Sequence, residues 1–220
     1  MSLFGKEDKA VEDEYRRQRL QMVQRQLAGR DVRDPAVLDA MRRVPRHLFV
    51  PPECRHEAYD DYPLAIGYGQ TISQPYIVAS MTEFLLPDKS KRVFEIGTGS
   101  GYQTAVLAEL FGQVVTVEIV PELSERAQGI LRGLGYANIV FHVGDGLTVP
   151  AESEKFEAII ATAAPEIAPE ELSDRLLPGG RLILPVGKTT QYLQLVTRDA
   201  AGKIHYETLY AVRFVPWQRQ

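Results

Sequence analysis

Residues 93–105, VFEIGTGSGYQTA, decide the fold of this chain. An apolar run typical of a buried strand ends at Glu95, and three glycines then occupy alternate positions from Gly97 to Gly101. A segment suited to a helix, 103–110, follows. Glycines let backbone N–H groups approach a ligand closely, and the N-terminus of a helix attracts polar groups. The stretch therefore predicts a strand, a glycine-rich turn and a helix that together bind a nucleotide.

The glycine spacing and the acid indicate which nucleotide binds. The spacing GxGxG differs from the GxGxxG of dinucleotide-binding proteins, because Tyr102 stands where that motif has Gly or Ala. The Glu95 carboxylate would repel a pyrophosphate but could pair with an ammonium group, and charges about 4 Å apart change the energy by roughly a few kcal/mol. S-adenosylmethionine (AdoMet) carries an ammonium group and no phosphate. We therefore predict AdoMet as the cofactor and S-adenosylhomocysteine as its product.

Composition predicts a soluble globular protein. The 220 residues are 45% hydrophobic and 25% charged, and the net charge of −4 gives no basic field for nucleic acid. The single cysteine, Cys54, excludes an internal disulfide and fits a reducing compartment. No signal peptide or membrane span is evident, and the four histidines lack metal-ligand spacing. We expect a cytoplasmic monomer without metal, membrane or nucleic-acid partners.

The N-terminal part is predicted to be helical and then irregular. Residues 1–11 are expected to be frayed, and apolar periodicity predicts a helix over 12–28. A second helix is expected from Asp34 and Pro35. Residues 46–80 are rich in Pro, Gly and Tyr and predict a long functional loop that a helix closes.

Strand and helix patterns alternate in the rest of the chain, which is typical of a doubly wound parallel α/β sheet. The predicted strands are 92–96, 113–118, 139–143, 156–162, 181–186, 191–198 and 204–214, and the predicted helices are 75–85, 103–110, 121–134 and 170–175. Only a turn separates the last two strands, so an antiparallel hairpin is expected at the sheet edge. We divide the single domain, 1–220, into N-terminal helices and a substrate loop (1–80) and an AdoMet-binding sheet core (81–220).

Acids stand at the ends of three successive strands, where ligands of such sheets bind. Glu118 ends the second strand and suits the two ribose hydroxyls. Asp145 follows the third strand between two glycines and suits the amine of adenine. Small residues after the fourth strand leave room for a methyl acceptor. The predicted cofactor-binding residues are Glu95, Gly97, Thr98, Gly99, Ser100, Gly101, Glu118, Asp145 and Gly146.

The chain resembles the protein-L-isoaspartate (D-aspartate) O-methyltransferases from about Gln21 to Trp217. The segments that carry the resemblance are VPRHLFVP (44–51), YDDYPLAIGYGQTISQPYIVASMTE (59–83), VFEIGTGSGYQTAVLAEL (93–110), GDG (144–146), ATAAPEIAP (161–169), LLPGGRLILPVG (176–187) and AVRFVP (211–216). GYGQTISQP (67–75) is the most specific of them, since other AdoMet enzymes share only the glycine motif. The resemblance implies a seven-stranded, Rossmann-like AdoMet-dependent fold with an N-terminal helical extension. It also implies methylation of the free carboxylate of isoaspartyl and D-aspartyl residues in damaged proteins and peptides.

The resemblance assigns catalysis to Ser73. This serine precedes a helix that begins with proline, where N–H groups and the helix dipole attract an anion, so its hydroxyl could orient a substrate carboxylate. The alternative is that Ser73 only caps the helix. The adjacent Thr71 and Ile72, and Arg213 and Val215 of the C-terminal strand, are implied as further substrate contacts.

The expected reaction needs little acid–base catalysis. A carboxylate with a pKa near 4 is ionised at neutral pH, so catalysis depends on holding oxygen, methyl and sulfur in line. Two other functions stay open: an AdoMet-dependent methyltransferase acting on a small molecule or RNA, and a non-catalytic AdoMet-binding protein. The lack of an NPPY-type tetrapeptide after the fourth strand argues against base methylation. The intact acids and Ser73 argue against loss of catalysis.

Overall fold

The structure is a computed structural model of the chain and describes residues 6–150 and 153–219. Its main sheet comprises β3 (Arg92–Ile96), β4 (Gln113–Glu118), β5 (Ile139–Val143), β6 (Phe156–Ala161), β7 (Leu176–Val186), β8 (Gln191–Arg198) and β9 (Ile204–Val212). Within the described residues this sheet has seven strands in the order β5-β4-β3-β6-β7-β8-β9. Strands β3 to β7 pair in parallel, whereas β8 and β9 are antiparallel. The predicted Rossmann-like sheet with an antiparallel edge hairpin is confirmed.

Helices cover both faces of the sheet. α4 (Tyr102–Leu110) and α5 (Pro121–Gly133) pack with the N-terminal helices against one face, and α6 (Glu170–Asp174) packs against the other. Residues of β3 alternate between the two resulting cores: Val93 belongs to the first and Phe94 to the second, and neither is exposed. This burial on both faces explains why the parallel strands read as continuous apolar runs. No helix in the described ranges is long and apolar enough to span a membrane.

The N-terminal extension consists of α1 (Lys6–Met22), a π-helical turn (Val23–Ala28), α2 (Pro35–Arg43) and α3 (Pro75–Phe84). The prediction of fraying was wrong for residues 6–11, which belong to α1; four of these six residues are Lys, Glu or Ala, which form helices readily. Residues 1–5 lie outside the described part. Asp34 caps α2 as predicted, since its Oδ1 accepts the N–H of Ala36 at 2.7 Å.

The segment 46–80 is more ordered than the predicted loop. It contains two 3-10 turns and a hairpin of β1 (Leu64–Gly67) and β2 (Gln70–Ile72). At the hairpin turn Gly67 and Gly69 have φ values of 89° and 70°, which glycine adopts without strain. Arg126 of α5 donates a hydrogen bond of 2.8 Å to the backbone oxygen of Ile66. This contact fixes the hairpin beside the glycine turn.

The C-terminal segment leaves the sheet earlier than predicted. β9 ends at Val212, because the amide of Gln191 binds both backbone groups of Phe214, accepting from N at 2.6 Å and donating to O at 3.2 Å. The backbone of Ala164, just after β6, then binds Val215 O at 2.9 Å and Trp217 N at 2.8 Å. Arg213 and Val215 therefore lie beyond the strand, in a segment that crosses the carboxyl edge of the sheet.

Candidate active site

A cleft of about 600 Å³ opens at the carboxyl edge of β3 and β4, and we call it the glycine cleft. It is lined by Gln70, Thr71, Ile96, Gly97, Gly99, Val117, Glu118, Ile119, Gly144, Gly146, Thr162, Ala163, Val215, Pro216, Trp217 and Gln218. Its walls thus come from the β1–β2 hairpin, the ends of the parallel strands and the C-terminal segment.

Two glycines of the cleft are required by close packing. Gly97 has φ +93°, and a Cβ atom there would lie 2.3 Å from Thr162 Oγ1. The Thr162 hydroxyl donates a hydrogen bond of 2.8 Å to the Gly97 oxygen. At Gly146 a Cβ would lie 2.6 Å from Cγ2 of Ile96. The glycines therefore keep the backbone close to the strand ends and leave the cleft open.

Glu118 lies on the wall of the cleft with its orientation fixed. Its Oε2 accepts the N–H of Gly99 at 2.7 Å, and its Oε1 accepts the N–H of Val120 at 3.0 Å. The residue is 5% exposed. Each carboxylate oxygen has a second lone pair, so both can still accept hydroxyl groups of a ligand.

Glu95 does not line the glycine cleft, in contrast to the prediction that it pairs with a ligand ammonium group. The residue is fully buried beneath the turn, where its Oε2 accepts hydrogen bonds from Thr104 at 2.6 Å and from Thr116 at 2.7 Å. Burial, reinforced by the nearby Glu118, raises the pKa of Glu95 to about 8. The pleat explains the difference, because Glu95 points to the same face of β3 as Val93.

The other predicted cofactor residues support the cleft. Thr98 shares a hydroxyl hydrogen bond of 2.6 Å with Thr116, and Ser100 Oγ accepts the N–H of Tyr102 at the start of α4. Asp145 lies between the two lining glycines of GDG. Its Oδ1 accepts the N–H of Leu147 at 2.9 Å, and its Oδ2 accepts from Arg219 Nε at 3.3 Å.

A second, wider cavity of about 1050 Å³ adjoins the first, and we call it the serine cavity. It is lined by Pro63, Thr71, Ser73, Gln74, Ile77, Thr162, Ala211, Val212, Arg213, Phe214 and Val215. The structure thus brings the predicted residues Thr71 and Ser73 together with Arg213 and Val215, although more than 130 residues separate the two pairs. Ile72, also predicted to bind substrate, is only 2% exposed and packs in the core instead.

Ser73 does not cap α3. The helix begins at Pro75, so Gln74 holds the cap position, and its side chain instead donates to Asp61 O at 2.9 Å. Within the described ranges the Ser73 hydroxyl has no hydrogen-bond partner. The capping alternative was therefore wrong, and the hydroxyl is free to contact a ligand in the serine cavity.

Several lining residues were missed by sequence reasoning. Ile119 follows Glu118 directly, so its place at the strand end could have been inferred. Thr162 was predicted only as the end of the fourth strand, among small residues that leave room for a methyl acceptor. Gln218 reaches the cleft, beside Trp217, through the C-terminal crossing, for which the sequence offers no local signal. Among the described residues no group of three or more His, Cys, Asp or Glu side chains could bind a metal ion.

Comparison with known proteins identifies the family. The model of the protein-L-isoaspartate(D-aspartate) O-methyltransferase family matches residues 17–220. The chain belongs to this family. A protein-L-isoaspartate O-methyltransferase of Opitutus terrae is 49% identical over 99% of the chain and 94% of the relative. One from a Picosynechococcus strain is 50% identical over 91% of the chain and 90% of the relative.

A solved structure agrees with this assignment. A Plasmodium falciparum structure, described as a protein-L-isoaspartate O-methyltransferase in complex with S-adenosyl-L-homocysteine, superposes with a TM-score of 0.80. It is 25% identical and covers 92% of this chain and 99% of its own. As a member of the protein-L-isoaspartate O-methyltransferase family, the chain methylates isoaspartyl carboxylates with AdoMet. The predicted reaction and the predicted cofactor are therefore both confirmed. The alternative of a small-molecule or RNA substrate has no support among these relatives.

Proposed function

We propose that the glycine cleft holds AdoMet, that the serine cavity holds the isoaspartyl residue, and that transfer occurs where they meet. The observation that carries this proposal is that Thr71, Thr162 and Val215 line both spaces. A carboxylate in the serine cavity can therefore reach the cleft directly. AdoMet, when bound, supplies a methyl group carried on a positively charged sulfur.

The cleft residues divide into contacts and supports. Glu118 would accept the ribose hydroxyls, and Asp145 would accept the adenine amine. The turn residues Gly97, Thr98, Gly99, Ser100 and Gly101 would supply the backbone cradle, together with Gly146. Glu95 would act from below, by bonding Thr104 and Thr116 and so holding α4 and β4 to the turn.

Ser73 is the proposed catalytic residue, with Thr71 beside it. Their hydroxyls would orient the substrate carboxylate, and Val215 would limit where this carboxylate can lie. No side chain that lines the serine cavity in the described ranges is a histidine, lysine or acid. This composition suits the reaction, because the substrate carboxylate is already ionised at neutral pH and needs no general base. Orientation then supplies most of the catalysis.

The proposal extends to the arrangement of the domain and to its biological setting. In this proposal residues 1–80 of the single domain contribute Ser73 and Thr71, and residues 81–220 contribute the cofactor side with Arg213 and Val215. The substrates would be damaged proteins and peptides in the cytoplasm, and the enzyme would act as a monomer. The net charge of −4 supplies no basic field for nucleic acid, so no nucleic-acid partner is proposed.

A direct test compares an isoaspartyl peptide with its normal aspartyl twin, using AdoMet with a tritiated methyl group. We expect base-labile label on the isoaspartyl peptide alone. Its free carboxylate is bonded directly to a main-chain carbon, whereas the aspartyl carboxylate is one methylene farther from the main chain, and the reaction depends on the position of this group. Binding of AdoMet without transfer to either peptide would contradict the proposal. Equal labelling of the two peptides would contradict the substrate assignment.

A further inference from the structure

We propose that Arg213 selects isoaspartyl substrates that carry a second carboxylate next to the isoaspartyl residue. This inference rests on the proposed function, because it concerns a peptide bound in the serine cavity. Among the described residues that line this cavity, Arg213 alone carries a charge, and the others are hydroxyl, amide or apolar side chains. The lining of the cavity therefore presents one cation and no anion to a charged group of a bound peptide.

Arg213 is available for a ligand. Its side chain is exposed, and its guanidinium forms no hydrogen bond or ion pair with any residue in the part of the chain that the structure describes. By contrast, Arg30 pairs with Asp61 at 3.2 Å and Arg219 pairs with Asp145 at 3.3 Å. A guanidinium presents a planar fork of donors that fits a carboxylate bidentately. The unused fork of Arg213 matches an acidic side chain or a terminal carboxylate.

The backbone that carries Arg213 is held on its C-terminal side. Gln191 binds both backbone groups of the next residue, Phe214, and Ala164 binds the oxygen of Val215. The base of the side chain is thus anchored to β8 and to the end of β6. Anchoring of this kind reduces the conformational entropy that binding must overcome.

The position of Arg213 argues against pairing with the reacting carboxylate. Thr71 and Thr162 line both the serine cavity and the glycine cleft, whereas Arg213 lines only the serine cavity. The reacting carboxylate also loses its charge on methylation, so a cation bound to it would stabilise the substrate more than the transition state. Arg213 is better placed to bind a carboxylate of the flanking peptide, which keeps its charge throughout.

Asp60 and Asp61, which precede the cavity residue Pro63 in the chain, have partners of their own. Asp61 pairs with Arg30, and its backbone oxygen accepts from Gln74. The carboxylate of Asp60 accepts the Tyr62 hydroxyl at 3.1 Å. Neither of these two carboxylates pairs with Arg213.

The test uses isoaspartyl peptides that differ only in one flanking residue, Glu, Gln or Lys, in one series before and one series after the isoaspartyl residue. For the unaltered enzyme we expect kcat/KM to favour Glu over Lys by about 3- to 10-fold in at least one series. Salt should shrink this ratio. Arg213→Gln should bring the ratio near one, and Arg213→Glu should invert it. Binding of S-adenosylhomocysteine checks that each variant is folded.

Arg132 on α5 provides the matched control, because it is exposed and lies outside both cavity linings. Arg132→Gln and Arg132→Glu change the net charge equally and should keep the original ratio. Two results would overturn the role of Arg213 even if the enzyme methylates isoaspartyl peptides. One is a Glu-to-Lys ratio of kcat/KM near one for the unaltered enzyme in both series. The other is a change of this ratio in the Arg132 variants as large as that in the Arg213 variants. Failure to methylate any isoaspartyl peptide overturns the proposed function and this inference together.

Discussion

Glu95 and Glu118 lie near the carboxyl ends of neighbouring strands but occupy different environments. Glu118 accepts two backbone N–H groups, one on each oxygen, and faces the glycine cleft. Glu95 accepts two hydroxyl groups on one oxygen, and its Oε1 has no partner among the described residues. A buried acid with so few donors resists ionisation, which accounts for its raised pKa. Glu118 is therefore the carboxylate on the cleft wall, while Glu95 is an internal support.

The raised pKa of Glu95 predicts a pH-dependent stability. Between about pH 4.5 and about pH 8 the folded chain keeps this proton while the unfolded chain releases it, so the free energy of unfolding falls as the pH rises through this window. Glu95→Gln removes the titration. We expect the variant to gain stability relative to the unaltered chain from pH 5 to pH 8, by at most about 1.4 kcal/mol per pH unit.

Urea denaturation at a series of pH values measures this difference. Glu122→Gln removes an exposed carboxylate at the start of α5 and is the control for the loss of one acid. A difference in the free energy of unfolding that does not change with pH for Glu95→Gln would show that the folded pKa is not raised.

The strand, turn and helix of 93–105 depend on the close approach of two backbones. The turn passes beside the end of β6, where Thr162 donates to both Ile96 O and Gly97 O. Any side chain at Gly97 would enter the space of that hydroxyl. The turn and the wall shared by the two cavities are therefore one structural unit.

Gly97→Ala should damage this unit. Its φ of +93° is unfavourable for alanine, at a cost of roughly 1–3 kcal/mol, and the new methyl would displace Thr162. We expect the free energy of unfolding to fall by about that amount and the affinity for S-adenosylhomocysteine, measured by calorimetry, to fall at least about tenfold.

Gly129→Ala is the matched control, because this glycine lies inside α5, where an added Cβ would have no atom from outside the helix backbone within 4 Å. It should raise the stability by up to about 1 kcal/mol and leave the affinity unchanged. Equal affinity in the two variants would contradict the role given to the turn.

The elements that local sequence determines were the ones that could be predicted. Apolar strands, proline at the first position of α3 and α5, and the Asp34 cap all act over a few residues. The C-terminal crossing could not be predicted, because it depends on contacts of Gln191 and Ala164 with residues distant in sequence. The direction of Glu95 was mispredicted for a similar reason: charge at a strand end was recognised, but not the face to which it points.

Across the whole molecule, the sequence located the two halves of the site but not their junction. The glycine motif predicted the cofactor side, and the resemblance around Ser73 predicted the acceptor side. Their meeting at Thr162 and Val215 arises from β6 and the C-terminal segment, which only the folded chain brings together. The central claim is that Ser73 acts on the acceptor and not on the cofactor.

The most direct test measures single-turnover methyl transfer to an isoaspartyl peptide by Ser73→Ala, together with its affinity for S-adenosylhomocysteine. Ser90→Ala, in an exposed turn outside both cavity linings, is the control and should match the unaltered enzyme. We predict that transfer by Ser73→Ala slows by about 10- to 100-fold, while its cofactor affinity changes less than about twofold. Transfer at the unaltered rate, or a loss of cofactor affinity equal to the loss of rate, would contradict the account.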